Sequence, residues 1–329
     1  LRRRNRSESL SHEHRIALLG RLSQRYQEAL ESDAYFREPR PIEPEIRRAD
    51  PQVPKLDADV VDLRWSSDYE TYLRELTDRY NNKVDNRRAA ARLFLHDRPR
   101  PMVILVHGYM AGRYDVEQRM WPLAWLERMG FDVALFVLPF HGVRAIRGRS
   151  GPPPFPSNDP RLSNEGFRQA MADLRDLIAW LRRRGHPSVG MMGMSLGGYT
   201  TALAATLESE LSFVVPIIPL ASLADFASDQ GRLDRDSERK RQQRQALDRV
   251  HRVVSPLHRP LMVDSSKVLV VGAKADRITP VAHARKLAGH FRAPLHCWYG
   301  GHLLQLGRGE AFRAVGSLLR SLDLVEPSV

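Results

Sequence analysis

Gly193-Met194-Ser195-Leu196-Gly197 places a serine between two glycines, with an apolar run before it and a helical pattern after it. That is the G-x-S-x-G spacing of a strand-to-helix turn. There the residues two before and two after the serine must be almost free of side chain, so that its hydroxyl can stand clear. A serine hydroxyl becomes a useful nucleophile only when a base removes its proton, and the base needs an acid to hold its tautomer. Downstream lie Asp276 in "GAKADRITP" and His302 in "WYGGHLLQ", in the order Ser, Asp, His that this turn predicts. Asp225 in "LASLADFA" is the second candidate for the acid, and capping of the next helix is the alternative role for Asp276. A Gly-rich packing turn would account for the two glycines but not for the Asp and His.

Acyl transfer also needs backbone N–H groups aimed at the developing oxyanion. Leu196, directly after the serine, supplies one. The loop after "VILVHG" supplies the other, from Tyr109, with Met110 as the alternative. His107 reads as a structural histidine beneath that loop. Five apolar residues beside these positions are the expected substrate lining: Met110, Phe140, Met194, Phe226 and Leu303. The same residues fit plain core equally well.

Such a constellation needs a sheet edge to gather it. Runs at 58–65, 87–97, 102–108, 131–140, 188–195, 211–220, 267–276 and 293–301 read as strands, several apolar throughout. Helical spacing falls between them at 67–80, 116–129, 164–184, 280–290 and 309–321. Strands apolar on both faces that alternate with helices predict an α/β fold, a mostly parallel sheet with helices on both faces. In such a sheet functional groups collect at the carboxyl ends of the strands.

Two stretches depart from the alternation. Residues 221–262 separate two strands by about forty residues, more than one crossover helix needs, and read as a helical lid insertion. The Pro-rich loop 148–160 is a second candidate cover. At the front of the chain, Ile16, Leu19, Leu22, Tyr26 and Leu30 mark an amphipathic helix, followed by a Pro-rich stretch at 37–55. The expected organisation is an N-terminal helical arm and linker, 1–57, and a catalytic domain, 58–329.

The 51 Lys and Arg against 39 Asp and Glu give a net charge of +12, but basic and acidic residues are interleaved, so no nucleic-acid partner is expected. The single cysteine, Cys297, leaves no pair for a disulfide within these residues and no Cys-rich metal site. His12-Glu13-His14 lacks the i, i+4 spacing of a helical zinc site and reads as a solvated helix start. No apolar run approaches the roughly twenty residues of a membrane span. The residues present show no signal-peptide core, and a cytoplasmic location is expected, with a removed leader left open.

The stretches "VILVHGY", "LPFHG", "GMSLGG", "GAKADRITP" and "YGGH", in this order over roughly residues 88–329, resemble the α/β-hydrolase superfamily. "LPFHGVRA" and "RQAMADLRDLIAWL" are similar to bacterial hydrolases related to α/β-hydrolase domain-containing protein 18. The resemblance implies an eight-stranded sheet, a triad of Ser195, Asp276 and His302, and a cap after the sixth strand. A serine at the elbow leaves esters, thioesters, amides and peptides as substrates. Carboxylic esters come first, because alkoxide leaves more readily than amine. The expected partner is a small-molecule ester and no cofactor is expected; aminopeptidase, amidase or thioesterase activity and a non-catalytic binding module are the alternatives.

Overall fold

The computed structural model describes residues 11–50 and 56–325. Residues 51–55 of the Pro-rich stretch, and the two chain ends, lie outside the described residues. Among the described residues nine strands form one sheet: β1 (Glu45–Arg48), β2 (Asp59–Ser66), β3 (Arg88–Leu95), β4 (Met102–Val106), β5 (Asp132–Phe136), β6 (Val189–Met194), β7 (Val214–Ile217), β8 (Val270–Ala273) and β9 (Leu295–Trp298). Their order is β1-β2-β3-β5-β4-β6-β7-β8-β9. The pairs from β5 to β9 are parallel, and the three at the β1 side are antiparallel.

The sheet therefore has nine strands rather than eight. The additional strand is β1, whose four residues are mostly exposed and lack apolar alternation. It is held through its backbone, with Glu45 opposite Arg64 and Arg48 opposite Val61.

In chain order the helices are α1 (His12–Arg25), α2 (Gln27–Glu31), α3 (Thr77–Asn81), α4 (Tyr114–Met120), α5 (Leu123–Arg128), α6 (Pro160–Arg183), α7 (Leu196–Ala204), α8 (Leu223–Asp229), α9 (Ser237–His251), α10 (Val281–Phe291) and α11 (Arg308–Ser321). The helix expected at 116–129 is two helices, because Pro122 has no N–H to continue the ladder. The helix expected at 67–80 is confined to a 3₁₀ turn and α3 at its end. The N–H groups of Tyr72 and Leu73 are instead taken by the buried Glu165 carboxylate of α6, at 3.1 and 2.9 Å. α6 starts at Pro160 behind the Asp159 cap and is buried along most of its length.

Core lies on both faces of the sheet. One face, covered by α6, α7 and α10, includes Tyr26 and Tyr35 from the N-terminal segment; the other packs under α5 and α11. Within 221–262, α9 packs between α1 and the body. His12 Nε2 lies 2.7 Å from Gln242 Oε1, and Asn164 Nδ2 donates to Val250 O at 2.9 Å. Among the described residues no helix is long and apolar enough to cross a membrane.

Candidate active site

β6 runs straight into Ser195, and α7 starts at the next residue. Ser195 has φ 56 and ψ −112, outside the regions a side-chain-bearing residue ordinarily occupies. Its N–H donates to Ile217 O at the end of β7, at 2.9 Å, and its carbonyl accepts from Tyr199 N at 3.0 Å. The flanking glycines are steric necessities. A Cβ on Gly193 would overlap the Gly197 carbonyl, and one on Gly197 would overlap the Val106 and His107 carbonyl oxygens. A Cβ on Gly108 would lie 3.6 Å from Ser195 Cβ, so the loop leaving β4 passes alongside the serine.

Asp276 sits in the turn after β8, buried, with both oxygens engaged. Oδ1 accepts the N–H groups of Ile278 and Thr279, each at 2.8 Å. Oδ2 lies 2.7 Å from His302 Nδ1 and accepts from Thr279 Oγ1 at 3.0 Å. Capping a turn and holding a histidine are thus compatible: one oxygen serves each. Burial works against ionisation of this carboxyl, but the His302 hydrogen bond and the two backbone N–H donors outweigh it, and its pKa falls below the ordinary value. A carboxylate on Nδ1 favours the tautomer that carries hydrogen there, which leaves Nε2 with its lone pair.

Asp225 is engaged elsewhere. Its oxygens accept from Arg244 Nη1 at 2.9 Å and Lys286 Nζ at 2.7 Å, tying α8 to α9 and α10. Thr279 was not singled out from the sequence. Its hydroxyl lies within 3.1 Å of His302 Nδ1 and 3.0 Å of Ile218 O, linking the Asp276 turn to the strand end beside Ser195. The available signal was the Asp-x-x-Thr spacing, which reads as a local turn.

The His302 turn reaches back over the elbow through Gln305, whose amide donates to His302 O at 3.1 Å and contacts Met194 Sδ at 3.7 Å. On the other side, the Leu196 N–H stands in the first turn of α7, where amides have no acceptor within the helix. Tyr109 follows β4, and its hydroxyl donates to Pro153 O at 3.1 Å, fastening the β4 loop to the Pro-rich loop. The next residue, Met110, turns the chain with φ 64.

His107 braces this loop from below. Its Nε2 accepts from Leu138 N at 3.0 Å, Nδ1 lies 2.7 Å from Gly108 O, and its ring fills the space left free by Gly112. Burial, aided by the neighbouring His141, lowers its pKa to about 3, so it stays neutral. The buried Glu117 carboxylate accepts from Gly112 N at 2.8 Å and steadies the same turn.

The five lining candidates separate. Met194 is buried under the His302 turn, and Phe140 is buried against Tyr80 with ring centroids 5.6 Å apart. Met110 and Leu303 are exposed, and Phe226 on α8 is half-buried beneath Arg232. Among the described residues no group of three His, Cys, Asp or Glu side chains is arranged to hold a metal ion.

The profile of the X-Pro dipeptidyl-peptidase (S15) family matches residues 162–254, which carry α6, the elbow and α9. Uncharacterized proteins from two strains of Mycobacterium tuberculosis are 31% identical over 232 residues, 69% of this chain and 55% of theirs. The chain thus spans about half the length of the curated relatives it matches. Among solved structures, an acetyl xylan esterase from Paenibacillus sp. R4 aligns over 98% of this chain and 97% of its own, with a TM-score of 0.57 at 14% identity. Acetyl xylan esterase 1 from Thermoanaerobacterium sp. JW/SL YS485 gives 0.56 at 17% identity, over 93% of this chain and 94% of its own. A Pyrococcus furiosus esterase gives 0.55 at 14%, over 87% of this chain and 98% of its own. With a mostly parallel sheet that carries the serine turn between β6 and α7, and these structural neighbours, the chain is an α/β-hydrolase-fold protein.

Proposed function

We propose that the chain is a serine hydrolase that cleaves carboxylic esters through an acyl-enzyme. The observation that carries this reading is the buried Asp276 carboxylate 2.7 Å from His302 Nδ1, on the same sheet edge as a serine held at φ 56. In the proposed reaction His302 Nε2 takes the Ser195 hydroxyl proton as Oγ attacks the ester carbonyl carbon. The oxyanion accepts from the N–H groups of Leu196 and Tyr109. Collapse expels the alcohol, which takes the proton from His302, and water repeats the sequence to release the acid. The segment 221–262 is proposed as the cap: Gln230 donates to Ile278 O at 3.1 Å, and Arg232 to Asn158 Oδ1 of the Pro-rich loop at 3.3 Å.

The S15 profile over 162–254 favours a second reading, cleavage of peptide bonds on the same triad. That reaction would want an acidic group for a substrate ammonium. Three acids of the lid are engaged locally: Asp236 accepts from Arg239 N, Asp234 from Asp236 N, and Glu238 from Arg241. Esters therefore come first.

A fluorophosphonate probe tests the serine directly. Labelling is expected in the wild type and absent in Ser195→Ala. Ser195→Ala and His302→Ala should each lower hydrolysis of a short-chain p-nitrophenyl ester by at least about 10³-fold with the fold retained. Ordinary turnover in either variant would overturn the assignment, and faster cleavage of a dipeptidyl p-nitroanilide than of the ester would favour the peptidase.

A further inference from the structure

Six large apolar side chains in the described structure are more than two-thirds exposed: Val84, Met110, Tyr299, Leu303, Leu304 and Leu306. Five of them belong to two loops at the carboxyl edge of the sheet. Met110, 69% exposed, lies in the loop leaving β4; Tyr299, Leu303, Leu304 and Leu306, 76–81% exposed, surround His302 after β9. A core-forming sequence has no use for so many projecting side chains along one sheet edge, and exposed apolar surface gathered on such an edge marks an interaction site.

The two loops themselves carry cations and no acid: neither 107–113 nor 299–309 contains an acidic residue. The acids that flank them are Asp115, paired with Arg113, the buried Asp276, held by His302, and Glu310 in the first turn of α11. Lys274 Nζ sits 4.2 Å over the Tyr299 ring, Arg277 is exposed in the next turn, and Arg308 closes the loop above the Phe312 ring at 4.8 Å. Burial lowers the Arg308 pKa only to about 10, which leaves it cationic at neutral pH. Apolar points interleaved with cations suit a surface that offers hydrocarbon beneath an anionic layer. A second copy of the chain suits it poorly. A two-fold contact sets like patch on like patch, and here that would oppose cation to cation on chains of net charge +12.

We propose that this rim docks the protein onto an anionic phospholipid bilayer, with the mouth of the candidate site facing the lipid. Docking needs no turnover, so it stands or falls apart from the proposed hydrolysis.

Flotation with lipid vesicles tests it, using phosphatidylcholine alone and with about 30 mol % phosphatidylglycerol. The wild type should partition onto the anionic vesicles and not the neutral ones, with binding that weakens as NaCl is raised from about 0.05 to about 0.5 M. Tyr299→Ser/Leu304→Ser/Leu306→Ser should lower the partition coefficient by about tenfold or more. Lys274→Glu/Arg277→Glu should lower it at low salt and flatten the salt dependence. All these side chains are exposed, and a thermal melt checks folding. Should the triple variant fail that check, Leu304→Ser alone is read, with a smaller loss in the same direction. Equal binding to both vesicle types, or wild-type binding by the apolar variants, overturns the proposal. So does a wild-type dimer in sedimentation velocity that those variants dissociate, which would make the rim a self-interface.

Discussion

One methyl group at position 197 tests how tightly the elbow is built. It would collide with two backbone carbonyl oxygens at the end of β4, atoms that cannot rotate away as a side chain can. Gly197→Ala should therefore cost about 3 kcal/mol or more in a urea titration, and turnover should fall with it because the Leu196 N–H moves. An unchanged midpoint would mean the turn has slack. The acid is tested by a pair of variants. Asp276→Asn removes the carboxylate that holds His302 Nδ1–H and should lower kcat by about 10³–10⁴-fold. Asp225→Asn loosens only links to Arg244 and Lys286 and should leave kcat within about twofold, since paired surface charges contribute little. The reverse order of losses would transfer the role to Asp225. Asp276 and His302 stand out in the sequence because each follows a legible strand, downstream of the serine in the required order. Thr279 does not, since a hydroxyl three residues after an Asp has the same signature in any turn.

At the scale of elements, α9 is fastened to the body at its C-terminal end. His251 Nδ1 lies 2.7 Å from Asn164 Oδ1 of α6, and burial lowers the His251 pKa to about 4. In the unfolded chain the imidazole titrates near 6.5, so between about 6.5 and 4 the unfolded state binds more protons than the native one. The stability contributed by this site is complete above that window and is lost as pH falls through it. From pH 7 to pH 5 the loss is about 2 kcal/mol. Buried His107 and His141, lowered to about 3 and about 4, act with the same sign. His251→Gln should reduce the drop in unfolding free energy between those two pH values by about 2 kcal/mol, read from urea titrations at each. An unchanged drop would mean the imidazole stays solvated. Elements were legible where periodicity is strong, as along α6 from 164 to its end, although its first turn, capped by Asp159 and opened by Pro160, reads in the sequence as the end of the Pro-rich loop. They were illegible where a distant group decides. The apolar spacing of Tyr72, Leu73, Leu76 and Tyr80 is helical, yet a carboxylate from α6 claims two of the amides that a helix would use.

For the whole molecule, the alternation of strands and helices made the fold class readable, whereas the ninth strand and the packing of the N-terminal segment were not. β1 has almost no side chain facing the core, so no pattern of apolar residues announces it. The amphipathic spacing of α1 shows that the segment packs on something without showing on what. In the structure, Tyr26 and Tyr35 are wholly buried in the core beside α6 and pack edge to face, with ring centroids 5.8 Å apart. Arg37 forms two hydrogen bonds to Asp176, at 2.8 and 2.6 Å. Truncating one buried aromatic side chain to alanine costs about 3–5 kcal/mol, and a domain of this kind is stable by about 5–15 kcal/mol. Removing residues 11–40 takes away both tyrosines, Phe36 and the Arg37 clamp together, a loss of the same size as the whole stability. The shortened chain should accordingly be recovered unfolded or aggregated, and Tyr35→Ala alone should lower the unfolding free energy by about 3 kcal/mol or more. Circular dichroism on the truncated chain and a urea titration of the point variant read the two outcomes. A truncated chain that melts cooperatively and keeps its ester turnover would show that the body folds without its N-terminal segment.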